Sequence, residues 1–132
     1  MSGDVRGVLL ALADEALELQ REGEDLMAEI SAEGPLDELS IRGGPLISRF
    51  EAMRRELPRC DDEPMLRSAA EVLDMIFANH ALALNAGLDL LAVSWRSDRM
   101  RDELHRLEGL GRPAIWLATI RAELAEELEA PA

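Results

Sequence analysis

Along the start of the chain the apolar positions keep a fixed rhythm. Val5, Leu9, Leu12, Ala16, Leu19, Leu26 and Ile30, with Gly23 completing the row, alternate steps of four and three. Residues at those steps share one face of an α-helix, so the spacing predicts a helix of about 28 residues, on the order of 40 Å long. Beside this seam Glu15, Glu22 and Glu29 recur every seven residues. In a parallel homodimer they would face Ala13, Gln20 and Met27, none of them basic, so a two-stranded zipper gains no ion pairs. Packing against other helices, from the same chain or a second subunit, is the arrangement expected.

The stretch EGPLDELSIRGGP, residues 33–45, holds three Gly and two Pro and predicts a long loop, with one helical turn at most at LDEL. Helical spacing resumes at Leu46, Phe50, Met53 and Leu57, with Pro45 suited to a first turn and Pro58 as the stop. RCDDEP is a start signal, because Asp61 or Asp62 can cap and Pro64 fits the first turn. From Met65 to about Leu107 the chain stays helical in character. Leu66, Leu73, Phe77, Leu84, Leu88, Leu91 and Trp95 mark its apolar side, and a bend or break is expected near Gly87. Leu90, Val93, Ser97, Met100, Leu104 and Leu107 form a second seam. EGLGRP reads as a turn, and a last helix follows, buried through Leu117, Ile120, Leu124 and Leu128, with 129–132 frayed. Nothing alternates like a strand. The expectation is one all-α domain over 1–132, a bundle of four or five helices.

Composition narrows this picture. Hydrophobic residues make up 48% of the chain and aromatics only 3%, so the core must be aliphatic, which suits helices rich in Ala and Leu. A single cysteine, Cys60, allows no internal disulfide and no paired-cysteine zinc site, and fits a reducing, cytoplasmic setting. The first residues do not read as a signal peptide, and no uninterrupted apolar run reaches about 18 residues, so no membrane partner is expected. The net charge is −13, from 27 acids against 14 arginines, with no lysine at all. Such a surface repels phosphate backbones, making nucleic acid an unfavourable partner, and it suits a basic protein.

Candidate chemistry sits on two helical stretches. Glu71 and Asp74, followed by an apolar run and AGLD, form a pattern over residues 71–89 that resembles half of the MazG-like all-α nucleotide pyrophosphatases. That resemblance implies Mg²⁺ held on carboxylates of neighbouring helices, the metal taking hard oxygen ligands while phosphates complete its shell. The family's companion E-x-x-E is missing: between residues 40 and 70 the acids are Glu51, Glu56, Asp61, Asp62 and Glu63. Glu71 and Asp74 also fall off the 66–73–77–84 stripe, which predicts that they face outward. RMRDELH, residues 99–105, resembles the Arg–His signature of HEPN-type helical ribonucleases, implying Arg99 or Arg101 for phosphate and His105 for proton transfer. Asp102 follows Arg101, at the place where that family usually has another polar residue. Asp102 and His105 have the i, i+3 spacing of di-iron bundles, but His80 has Phe77 rather than an acid three residues before it. His80 is expected to be hydrogen-bonded at the edge of the core. No metal site and no cofactor is expected.

The remaining feature is Trp95 beside Arg96, Arg99, Arg101 and Arg106, a basic patch in an acidic chain, of the residue types that protein interfaces favour. Together with Leu9, Leu12, Leu19 and Leu26 of the first seam, Trp95, Arg96, Arg99 and Arg101 make the candidate interface. The functional expectation is a small acidic helical interaction module (an adaptor, chaperone or inhibitor subunit), non-enzymatic and homodimeric, with a basic protein partner. The alternatives are the Mg²⁺-dependent pyrophosphatase and the helical ribonuclease.

Overall fold

The computed structural model describes the backbone of residues 2–129 and the side chains of 4–126. It contains five α-helices: α1 (Ser2–Ser31), α2 (Leu36–Glu56), α3 (Pro64–Val93), α4 (Asp98–His105) and α5 (Arg112–Glu129). A single 3₁₀ turn, Ser94–Arg96, separates α3 from α4. The described residues form no strand, as the sequence pattern requires. The frayed end expected at 129–132 falls, from residue 130 onward, outside the described residues, as does the side chain of Leu128.

Local signals explain most boundaries. The chain leaves α1 through a left-handed residue, Glu33 (φ 59°). The Gly34 N–H donates to the Glu29 carbonyl at 2.9 Å and the Glu33 N–H to that of Ile30 at 3.0 Å, the double closure of a Schellman motif. Asp37 and Glu38 sit at the positive end of α2 and Arg54 and Arg55 at its negative end. Pro64 opens α3, and the Ser97 hydroxyl caps α4 by accepting from the Met100 N–H at 3.1 Å.

Two expectations change. The 33–45 loop is only a tight turn around Glu33–Pro35, and the helix already runs through Gly43, Gly44 and Pro45. Gly43 is buried there because α2 crosses α1 and α3 at close range. A Cβ at this position would lie 2.9 Å from Leu88 Cδ1 and 3.2 Å from Leu26 Cδ2. The glycine that looks like a loop signal is a packing device. Likewise α3 passes Gly87 as an unbroken helix, with that residue buried against Met27, and the break comes at Ser94. The second seam, read as one helix over 90–107, is therefore divided between the end of α3 and α4.

Helices α1 and α3 run parallel at the centre: Gln20 meets His80, and Gly87 lies against Met27 and Ile30. Helix α2 packs antiparallel on one side of this pair, shown by Glu15–Arg49 with α1 and by Arg54–Asp74 with α3. Helix α5 packs antiparallel on the other side. Its leading turn brings Leu110 to Gly23 and Leu84, and Arg121 reaches Asp14. Helices α2 and α5 make no backbone contact among the described residues. The core is aliphatic except at its centre. There Phe50 lies 6.3 Å from the Phe77 ring and, edge-on, 5.2 Å from the His80 imidazole, all three fully buried.

Candidate functional site

Asp74 lies on the side of α3 that faces α2, where Arg54 Nε donates to its Oδ1 at 2.8 Å. The same guanidinium contacts Glu51, and the Asp74 contact holds its pKa above the ordinary arginine value. Glu71, three residues earlier, is exposed to solvent. Both border a shallow hollow with Arg59, Arg67 and Cys60. Among the described residues no three His, Cys, Asp or Glu side chains gather as a metal would need. Asp74 thus meets a guanidinium, and no further carboxylate converges on it. The Cys60 thiol is buried, and burial, followed by Asp61 and Glu63 nearby, pushes its pKa up, away from nucleophilic use.

The Arg–His stretch has a structural occupation. Glu33, at the left-handed turn after α1, receives Arg101 Nε on one oxygen at 3.1 Å, and His105 Nε2 lies 3.0 Å from the other. Both residues therefore tie α4 to the α1–α2 turn. Arg99 and Arg96 are exposed, and the Arg96 guanidinium stands 5.3 Å from the Trp95 ring centroid. Trp95 is 71% exposed, and its indole N–H donates to the Ala92 carbonyl at 3.1 Å.

Of the leucines in the candidate interface, Leu9, Leu12 and Leu26 are buried in the chain's own core and Leu19 is half-buried. Two of their three flanking glutamates are engaged by α2: Glu29 pairs with Arg42, and Glu15 accepts from Arg49 Nη2 at 2.7 Å, which holds the Glu15 carboxyl below its usual range. The heptad signature belongs to an internal helix–helix seam.

The uncovered apolar surface lies elsewhere. Between the outer sides of α3 and α5 runs a groove of about 430 Å³, lined by Met65, Ser68, Ala69, Val72, Ile120, Glu123 and Leu124. Met65 is 67% exposed. Seven-residue steps extend the same side of α3 from Ser68 to Met75 and Leu82, both exposed, and lead back along α5 from Glu123 to Trp116. Sequence reading missed this surface because it assigned α3 a single stripe. The available signal was that α3 is apolar around much of its circumference. By length and composition alone, Pro64–Arg96 would suffice to cross a membrane, and only 39% of its most apolar window is buried within the bundle.

No protein-family model, curated protein or solved structure matches this chain. The likenesses to MazG-like and HEPN-type proteins therefore stand on residues 71–89 and 99–105 alone. In the fold Asp74 of the first stretch binds Arg54, and Arg101 and His105 of the second bind Glu33.

Proposed function

We propose that this protein is a non-enzymatic interaction module, an acidic helical bundle whose task is to hold another protein. One observation carries the reading: large apolar side chains on α3 and α5 (Met65, Met75, Leu82 and Trp116) stand 40–67% exposed on the two helices that form the apolar groove. Exposed apolar side chains scattered singly are ordinary, whereas several on the two helices that flank one apolar groove mark a contact surface. Trp95 with Arg96 adds an aromatic–cation corner of the kind interfaces use. The α1 seam is occupied within the chain, so the homodimer expected through it has no free seam to use, and the reading takes a different protein as the partner.

The test is site-directed photo-cross-linking in the native cell. A benzophenone amino acid at Leu82 should give a discrete adduct, identified by mass spectrometry, while the same probe at exposed Glu18 on α1 should give none. Equal diffuse labelling from both positions would overturn the reading.

A further inference from the structure

Resting on that reading, we infer that the α3–α5 groove seats one amphipathic helix from a partner, with Lys or Arg along both of its flanks. The shape argues for a helix. Two antiparallel helices whose inner sides are packed on α1 leave an outer furrow that a third helix fills, apolar residues inward at i, i+3, i+4 and i+7. The groove itself follows α3 from Pro64 to Val72, and exposed Met75 and Leu82 continue that helix's apolar surface to about 26 Å from Met65, a length of roughly five helical turns. Met65 in its lining, with exposed Met75 and Trp116 on the same two helices, suits an unspecialised apolar face, because thioethers repack and an indole supplies a large flat contact.

The charge argues for a basic occupant. Glu123 is the charged residue that lines the groove, and Glu126, three residues further along α5, is exposed. Of the arginines on α5, Arg112 stands at the helix's first residue and Arg121 reaches Asp14 on α1, and Arg67 borders the hollow that Arg54, Glu71 and Asp74 share. A second copy of the chain would bring the same acidic rim against itself, at −13 per copy. A helix flanked by cations meets the rim with opposite charge and its apolar face with the furrow.

The probe is an 18-residue Leu/Lys peptide with leucines at three–four spacing, set against a scrambled peptide of the same composition and a Leu/Glu peptide with the same apolar face. Trp95→Phe leaves Trp116 as the sole tryptophan. On titration its emission should shift to the blue and saturate with the Leu/Lys peptide only. Met65→Glu with Leu82→Glu, both at exposed positions that folding tolerates, should weaken binding at least tenfold, and Glu123→Lys severalfold. Ile41→Glu, on α2 at a site 74% exposed, should change nothing. Equal binding of the scrambled peptide, or indifference to Met65→Glu with Leu82→Glu, would overturn the inference by reducing it to bulk charge attraction. A dimer in sedimentation that Leu82→Glu dissociates would overturn this occupant in favour of a second copy. A monomer that ignores the peptide yet gives the Leu82 adduct in cells would overturn the basic helix alone. Only the loss of that adduct as well would remove the interaction-module reading.

Discussion

His80 is the residue whose setting has the clearest thermodynamic consequence. Its Nε2 lies 2.9 Å from Gln20 Oε1, its ring meets Phe50 edge-on, and Nδ1 has no partner in the core. Burial disfavours the imidazolium and lowers the pKa to about 4. An unfolded histidine takes up its proton near 6.5, so between about 6.5 and 4 the unfolded chain binds a proton that the native state refuses. Stability from this group is therefore complete above 6.5 and falls as pH falls through the window, by about 3 kcal/mol over its width. Urea titrations at pH 7 and 4.5 should show this loss, and His80→Gln should remove most of it. An unchanged slope in the variant would assign the acid sensitivity to carboxylates such as Glu15. At the other extreme Asp74→Asn should cost less than about 1 kcal/mol by thermal melting, because its pair with Arg54 is half-exposed. The outward-leaning position of Asp74 was legible from its offset to the apolar stripe. The depth of His80 was not: a lone histidine between Asn79 and Ala81 has no pattern that separates edge from centre.

At the scale of elements, α1, α3 and α5 were readable because their apolar residues keep helical period and prolines stand at position 64 and in the first turn of α5. The first half of α2 was not, since Gly43, Gly44 and Pro45 carry every local sign of a turn. Tertiary packing overrides propensity there: the glycine lets α2 approach Leu26 and Leu88, where an added Cβ would force the Leu88 side chain to shift. Gly43→Val should consequently destabilise the fold by about 1–3 kcal/mol, the cost of overpacking. Gly7→Ala, in α1 with nothing within 4 Å of the added Cβ, should instead stabilise it by about 0.5–1 kcal/mol. Chemical denaturation of the two variants checks both signs. Gly109 is stricter than either, because φ is +57° and an added Cβ would fall 1.9 Å from Glu24 Oε2, the carboxylate whose other oxygen accepts the Leu110 N–H. Gly109→Ala should cost more than Gly43→Ala and loosen the entry to α5.

The whole molecule carries 27 acids against 14 arginines, and this excess was legible from composition while its use was not. Where uncovered apolar surface lies depends on which faces of α3 the neighbours leave free, and a single-stripe reading of one helix cannot supply that. Charge and groove together make a prediction with opposite signs. At low salt the acids repel one another across a small body, and that self-repulsion weakens the compact state. Raising ionic strength from 0.01 M to 0.1 M shortens the screening length from about 30 Å to about 10 Å. The half-exposed pairs such as Arg54–Asp74 and Arg121–Asp14 lose little, at most about 1 kcal/mol each. The melting temperature should therefore rise over that range. Binding of a cationic amphipathic helix is attraction across the same acidic rim, so its affinity should fall over the same range. A melting temperature that drops with salt would mean that the ion pairs, rather than the excess charge, dominate the electrostatics. An affinity that does not drop would leave the groove apolar in function and its acidic rim without a role.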